Sequence, residues 1–166
     1  MKIIGTKSLS SAVYHLLWVL LPLGILVLLA MAVWVGTELH ELFSAREGII
    51  LPVLGIVGLA WLCGICCCLL LWQLIGIFRR LTEGNCFAME NVAPLHRCAW
   101  CLWGIGFCFL GICAALFFGA GMQVVFTFFT ALLAAAAFLL LGAGVRVLSE
   151  LYRRAVEYKQ ENDLTI

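Results

Sequence analysis

Charged residues are scarce in this chain and are absent from three long stretches. Asp, Glu, Lys and Arg make up 11% of the 166 residues, whereas 65% are hydrophobic. The three stretches without charge run from 8 to 37, from 48 to 78 and from 98 to 145. In soluble domains, roughly a quarter of the residues are charged. The composition therefore excludes an ordinary soluble domain and indicates a membrane protein.

Each charge-free stretch is long enough to cross a bilayer, because a transmembrane helix needs about 20 apolar residues. The third stretch is long enough for two helices, and its centre reads "FFGAGMQ" (Phe117–Gln123). Glycines beside a polar residue predict a tight turn at that point. We therefore predict an all-α polytopic membrane protein, a single domain over 1–166 that forms an antiparallel bundle of four transmembrane helices. The predicted spans are roughly 10–36, 49–78, 95–118 and 123–147.

The basic residues predict the orientation of the bundle. Arg46 alone lies in the first loop, and the third loop has no Lys or Arg. The other nine fall on the opposite side, namely Lys2, Lys7, Arg79, Arg80, Arg97, Arg146, Arg153, Arg154 and Lys159. Because cytoplasmic loops carry an excess of Lys and Arg, we expect both termini and the loop 81–97 to lie in the cytoplasm.

Helix four is predicted to continue beyond the membrane. The sequence "RVLSELYRRAVEYKQEN" keeps helical periodicity, and its spacing permits ion pairs of Glu150 with Arg154 and of Arg153 with Glu157. One face is apolar and consists of Leu148, Leu151, Tyr152, Ala155 and Val156. This cytoplasmic helical tail, 148–166, either ends in solvent or packs against the loop 81–97.

Several functions lack the residues that they need. Within the three charge-free stretches, His15 is the only histidine and no Asp, Glu, Lys or Arg occurs, which argues against ion or proton transport. A metalloprotease motif that began at His40 would need histidine where Ser44 stands. No catalytic residue, metal site or cofactor is predicted. The few basic residues are explained by topology, so we expect no direct nucleic-acid binding.

Nine cysteines leave a redox alternative open. Two C-x-x-C pairs, Cys63 with Cys66 and Cys98 with Cys101, suit a membrane thiol oxidoreductase. However, the predicted outer loops contain no cysteine, and a thiol inside the membrane stays protonated and inert. Zinc binding by Cys86, His96 and the second pair is disfavoured because the usual paired spacing is missing. Small-residue ridges favour helix packing instead, and they comprise Ala60, Gly64 and Cys68 on helix two and Gly104, Cys108, Gly111 and Ala115 on helix three.

Two short stretches carry a family resemblance. "EGNCFAMENVAPLHRCAW" resembles the pattern G-x-x-F-x-x-E-N-x-x-x-L that follows the second helix in domain of unknown function 2975. "ELYRRAVEYKQENDLTI" is similar to the C-terminal end of that family. The resemblance implies a four-helix protein of the bacterial cytoplasmic membrane, and a partnership with a helix-turn-helix regulator, but no activity. The chain departs from the pattern at Ala88 and Pro94, so Asn91 is the predicted N-cap of helix three.

The sequence thus predicts a non-enzymatic regulatory or interaction partner that presents a cytoplasmic surface. We expect the tail to dock on the loop 81–97, with Phe87 as an anchor between helices. The alternatives are a small oligomeric carrier or channel and a membrane thiol oxidoreductase. The predicted interaction surface comprises Gly84, Phe87, Glu90, Asn91, Leu95, Tyr152, Val156, Glu161, Asn162, Asp163 and Leu164.

Overall fold

The computed structural model is helical throughout the residues that it describes, which are 9–45, 50–83, 89–119 and 125–163. The long helices are α1 (Leu9–Ala45), α2 (Ile50–Thr82), α3 (Val92–Gly119) and α4 (Val125–Asp163). A 3-10 turn, Met89–Asn91, leads into α3. These described ranges contain no strand. The all-α fold with four long helices is therefore confirmed.

All four helices are long and apolar enough to cross a membrane. The qualifying segments are Ser10–Val35, Leu54–Thr82, Met89–Phe117 and Phe126–Glu161, with mean hydropathies of 2.8, 2.5, 2.0 and 2.3. A helix pairs its backbone N–H and C=O groups internally, whereas hydrocarbon offers these groups no hydrogen-bond partner. The chain is accordingly a multi-pass membrane protein with four spanning helices.

The helices pack in the order in which they occur along the chain. The main contacts join α1 to α2, α2 to α3, and α3 to α4, and the 3-10 turn packs on α3. Short connections between neighbours make each pair antiparallel. In the described parts of the chain, any other pair of elements touches only sparsely. As a result α1 and α4 form the two margins of the bundle.

Helix α3 holds the centre of the protein. It contributes half of the buried apolar residues of the described chain, namely Cys98, Ala99, Leu102, Ile105, Cys108 and Cys113. By contrast, α1 exposes most of its large side chains, among them Leu16, Val19 and Leu26. Exposed apolar side chains are expected here because lipid tails surround the spans.

Glycines set the closest approaches between helices. A Cβ added at Gly106 would lie 3.3 Å from the backbone oxygen of Ala135, so α3 and α4 nearly touch there. Further along, Gly142 of α4 accommodates the indole ring of Trp103. Helices in lipid lack a hydrophobic drive to associate and depend on such close packing. Gly106 and Gly142 therefore carry much of the α3–α4 contact.

The described cysteines are all free thiols and lie among the helices. Cys98, Cys108 and Cys113 are buried on α3. Cys66 of α2 faces Gly104, where an added Cβ would lie 3.2 Å from its sulfur. These positions are those of small apolar packing residues. Cys86 lies outside the described residues.

Replacing Gly142 with alanine should destabilise the protein, because the added methyl group collides with Trp103. Overpacking of this kind costs about 1–3 kcal/mol. Gly144→Ala is the matched control, since no atom lies within 4 Å of its added Cβ. Thermal unfolding in detergent measures both variants. Equal midpoints for the two would contradict the packing assigned to Gly142.

Candidate interaction site at the basic end

The basic end of the bundle is where α2 ends, α3 begins and the charged part of α4 passes them. Arg80 connects the end of α2 to the beginning of α3. Its guanidinium donates hydrogen bonds to the Glu90 carbonyl (3.0 Å) and to Asn91 Oδ1 (3.2 Å). It also approaches the Glu90 carboxylate at 3.8 Å. One arginine thus fixes the 3-10 turn against the last part of α2.

Asn91 extends this connection to α4. Its side-chain amide donates from Nδ2 to the Tyr152 hydroxyl at 3.4 Å while its oxygen accepts from Arg80. The residue is only 4% exposed. An amide carries both donor and acceptor, so a single buried side chain joins three elements. Leaving such a group without partners would cost the full desolvation penalty.

A second set of contacts holds α4 beside the start of α3. The Ser149 hydroxyl donates to the Val92 carbonyl at 3.3 Å, and Ser149 is buried. One turn below, the Arg146 guanidinium contacts the ring of His96. We call the part of α4 from 148 to 163 the α4 extension; Val156 is 1% exposed and completes its covered face. The inner edge of the α4 extension is therefore Ser149, Tyr152 and Val156, at helical spacing.

Local sequence explains why α3 begins where it does. The helix starts at Val92, directly after Asn91, whereas the predicted span started near 95. Pro94 then occupies the first turn, where backbone N–H groups have no partner within the helix. Proline is tolerated there because its missing N–H costs no hydrogen bond.

The structure brings together some of the predicted surface residues and buries others. Asn91 meets Tyr152, whereas Glu90 and Glu161 are exposed. Asn91 and Val156 are buried, so they lie inside this assembly and do not present themselves to a partner. Leu95 is half-buried. The remaining predicted positions lie outside the described residues, or have side chains that do, and comprise Gly84, Phe87, Asn162, Asp163 and Leu164.

The helical tail contacts the loop 81–97 without folding back on itself. Helix α4 continues unbroken to Asp163, and the contact runs along its side at Tyr152. Ser149 and the contact of His96 with Arg146 were not predicted from the sequence. The spacing of Ser149 three residues before Tyr152 and seven before Val156 is the signal that would have shown the inner edge.

Charge pairs cover the polar side of the α4 extension. The predicted pairs Glu150–Arg154 and Arg153–Glu157 are both present, each at 3.5 Å. Glu150 also binds Arg153 at 2.9 Å. The Arg153 hydrogen bond lowers the pKa of the Glu150 carboxyl from its ordinary value. Glu150 therefore accepts hydrogen bonds from both Arg153 and Arg154.

A different edge of the same helix remains apolar and uncovered. We call it the exposed seam; it consists of Leu148, Leu151, Ala155 and Tyr158, all exposed. These residues follow at intervals of three, four and three, which is the spacing of a coiled-coil contact. The seam lies beyond Arg146, outside the charge-free window of α4. Of the apolar face predicted from sequence, only Tyr152 and Val156 belong to the inner edge.

Metal chemistry finds no support in the described residues. They contain no group of three or more His, Cys, Asp or Glu side chains placed to hold a metal ion. The contacts at the basic end can hold the α4 extension in a fixed position, with the exposed seam facing outward.

A double-mutant cycle tests the link between Asn91 and Tyr152. Tyr152→Phe should lower the free energy of unfolding by about 0.5–1.5 kcal/mol, as expected for one lost hydrogen bond. Asn91→Ala should cost more, because Arg80 loses an acceptor as well. In the double variant the losses should not add. Tyr158→Phe is the control, since Tyr158 is 71% exposed; additive losses in the cycle would argue against the link.

Among the comparisons with known proteins, the match to a family model is the one that identifies a relationship. No curated protein and no solved structure matches it. One family model does match, over residues 17–166, and its description is "Protein of unknown function (DUF2975)". That match covers most of the chain, including the last three spanning segments in full and the first from residue 17 onward. The chain therefore belongs to the DUF2975 family.

Proposed function

We propose that this protein is a non-enzymatic membrane protein that holds another protein at its basic end. The exposed seam is the observation that carries the proposal. It places four apolar side chains at coiled-coil spacing on a helix that has left the apolar window. An apolar strip of this kind is stabilised when a second helix covers it.

The partner that best fits the seam is a protein with an amphipathic helix. With Leu148, Leu151, Ala155 and Tyr158 as the contact positions, Arg154 and Lys159 flank the seam. Flanking charges select partners by complementarity, so the partner helix should carry acidic residues beside its apolar face. A helix-turn-helix regulator, which the family resemblance implies, is the first candidate to test.

The distribution of basic residues supports a cytoplasmic location for this end. Nine of the ten Lys and Arg residues lie on one side of the predicted topology. The polar contacts of Arg80, Asn91 and Tyr152 join the end of α2, the turn before α3 and the last part of α4. By the positive-inside rule, we propose that both termini face the cytoplasm of a bacterial cell. The seam would then be accessible to soluble cytoplasmic proteins.

Site-specific photo-crosslinking tests this proposal in native membranes. A photoreactive amino acid at Leu151 or Tyr158 should yield one adduct of the same mass from both positions, because both belong to the seam. Mass spectrometry then identifies the captured protein. Leu140 and Leu141 are matched controls on the same helix, equally exposed but within the apolar window.

The result separates the proposal from its rivals. A second protein captured at the seam and not at the controls supports it, and addition of Leu151→Glu should abolish the Tyr158 adduct. An adduct that contains only a second copy of this chain would favour an oligomeric carrier or channel. No adduct from either seam position would contradict the proposal.

A further inference from the structure

The spacing of the exposed seam fixes which side chains flank a helix packed on it. In chain order, its four residues occupy positions a, d, a and d of a coiled-coil heptad. Position g, on one flank, then falls on Arg154, and position e, on the other flank, falls on Lys159. Both residues are exposed. In coiled coils the side chains at e and g select the partner.

The bundle itself covers part of the e flank. Tyr152, the e position of the preceding heptad, contacts Asn91 at 3.4 Å and belongs to the inner edge. Lys159 lies seven residues further along the helix, past that contact. On the g flank, Arg154 pairs with Glu150 at 3.5 Å, yet its side chain is 65% exposed. Exposed pairs of this kind are weak, so both flanks present a cation to an incoming helix.

A second copy of this chain would bring these cations against each other. Copies inserted in one membrane share one orientation, so their α4 extensions would run parallel and pair through the same surface. In a parallel pair, a g residue faces the e residue of the next heptad on the other helix. Arg154 of one copy would therefore face Lys159 of the other, and the two-fold symmetry repeats this contact. Like charges placed opposite each other oppose association.

The acidic residues of the α4 extension do not offset this repulsion. Glu150 and Glu157 occupy c positions, which lie further from the seam, and they pair with Arg154 and Arg153 along the same helix. Glu161 is the next g position, and its counterpart in a parallel pair would be position 166, which lies outside the described residues. Arg154 against Lys159 is therefore the one complete contact between flanks that the described part of the seam would form with itself.

We propose that Arg154 and Lys159 determine the specificity of the exposed seam. They exclude a second copy of this chain, and they select a different protein whose helix carries Asp or Glu at the facing positions. This inference rests on the proposed function, because it takes the seam as a surface that binds a helix. Coiled coils distinguish their partners in this way, by repulsion from the wrong helix as well as attraction to the right one.

Charge reversal in the purified full-length protein tests the proposal. A photoreactive phenylalanine analogue replaces Tyr158, and the protein is reconstituted into phosphatidylcholine vesicles without any other protein. With Arg154 and Lys159 in place, illumination should yield little adduct of twice the chain mass. Arg154→Glu should raise the yield of that adduct about tenfold, because two repulsive contacts become attractive. Lys159→Glu should have the same effect for the same reason.

Arg153→Glu is the matched control for the reversal. Arg153 is exposed and pairs with Glu150 at 2.9 Å, so its replacement changes the charge and removes ion pairs much as Arg154→Glu does. It occupies position f, on the side of the helix opposite the seam. The yield of self-adduct should therefore stay low. An increase equal to that of Arg154→Glu would overturn the proposal.

The doubly reversed chain, Arg154→Glu with Lys159→Glu, completes the test. Alone, it again sets like charges against each other and should give little self-adduct. Mixed with the unreversed chain, it should form a mixed adduct, which a tag on one chain identifies by mass, because each glutamate then faces a cation. Abundant self-adduct of the unreversed chain would overturn the exclusion of a second copy but leave the seam as a helix-binding surface. No adduct from any variant or from the mixture would overturn both this proposal and the proposed function.

Discussion

Hydrocarbon cannot form hydrogen bonds, and this constraint organises the whole chain. It requires the spanning segments to be helices whose backbone groups pair internally, and it keeps charged side chains out of three long stretches. Polar side chains therefore gather at the ends of the helices. At the basic end they satisfy one another, with Arg80, Asn91 and Tyr152 joined in a single chain of hydrogen bonds.

The same constraint explains why the interior is built from small residues. Water provides no drive for one apolar helix to leave lipid and join another, so contact depends on close approach. Gly106 permits α3 and α4 to come within reach of each other's backbone, and Gly142 makes room for Trp103. Free cysteines such as Cys98, Cys108 and Cys113 fill similar buried positions on α3.

The sequence predicted the elements well because each depends on local composition. Charge-free windows showed four helices, and Pro94 with Asn91 indicated where α3 begins, since a proline in the first turn costs no backbone hydrogen bond. The network at the basic end could not be derived in this way. Arg80, Asn91 and Tyr152 belong to three elements, and their meeting depends on the relative rotation and height of those helices, which periodicity within one helix does not contain. The apolar face of the tail was visible in sequence, but only the packing of α3 divides it into a covered and an exposed edge.

Because one edge of the α4 extension is covered and the other is exposed, the polar network on the covered edge can affect the exposed seam without touching a partner. Binding costs less when the contact residues are already held in their bound arrangement. Ser149 and Tyr152, with the Val92 carbonyl and Asn91 as their partners, fix one edge of the α4 extension, and the seam lies on another edge of the same helix. Asn91 is buried and cannot touch a partner directly. Under the proposed function, Asn91 acts by positioning Leu151 and its neighbours, and a variant at Asn91 should weaken partner binding in proportion to the order that α4 loses.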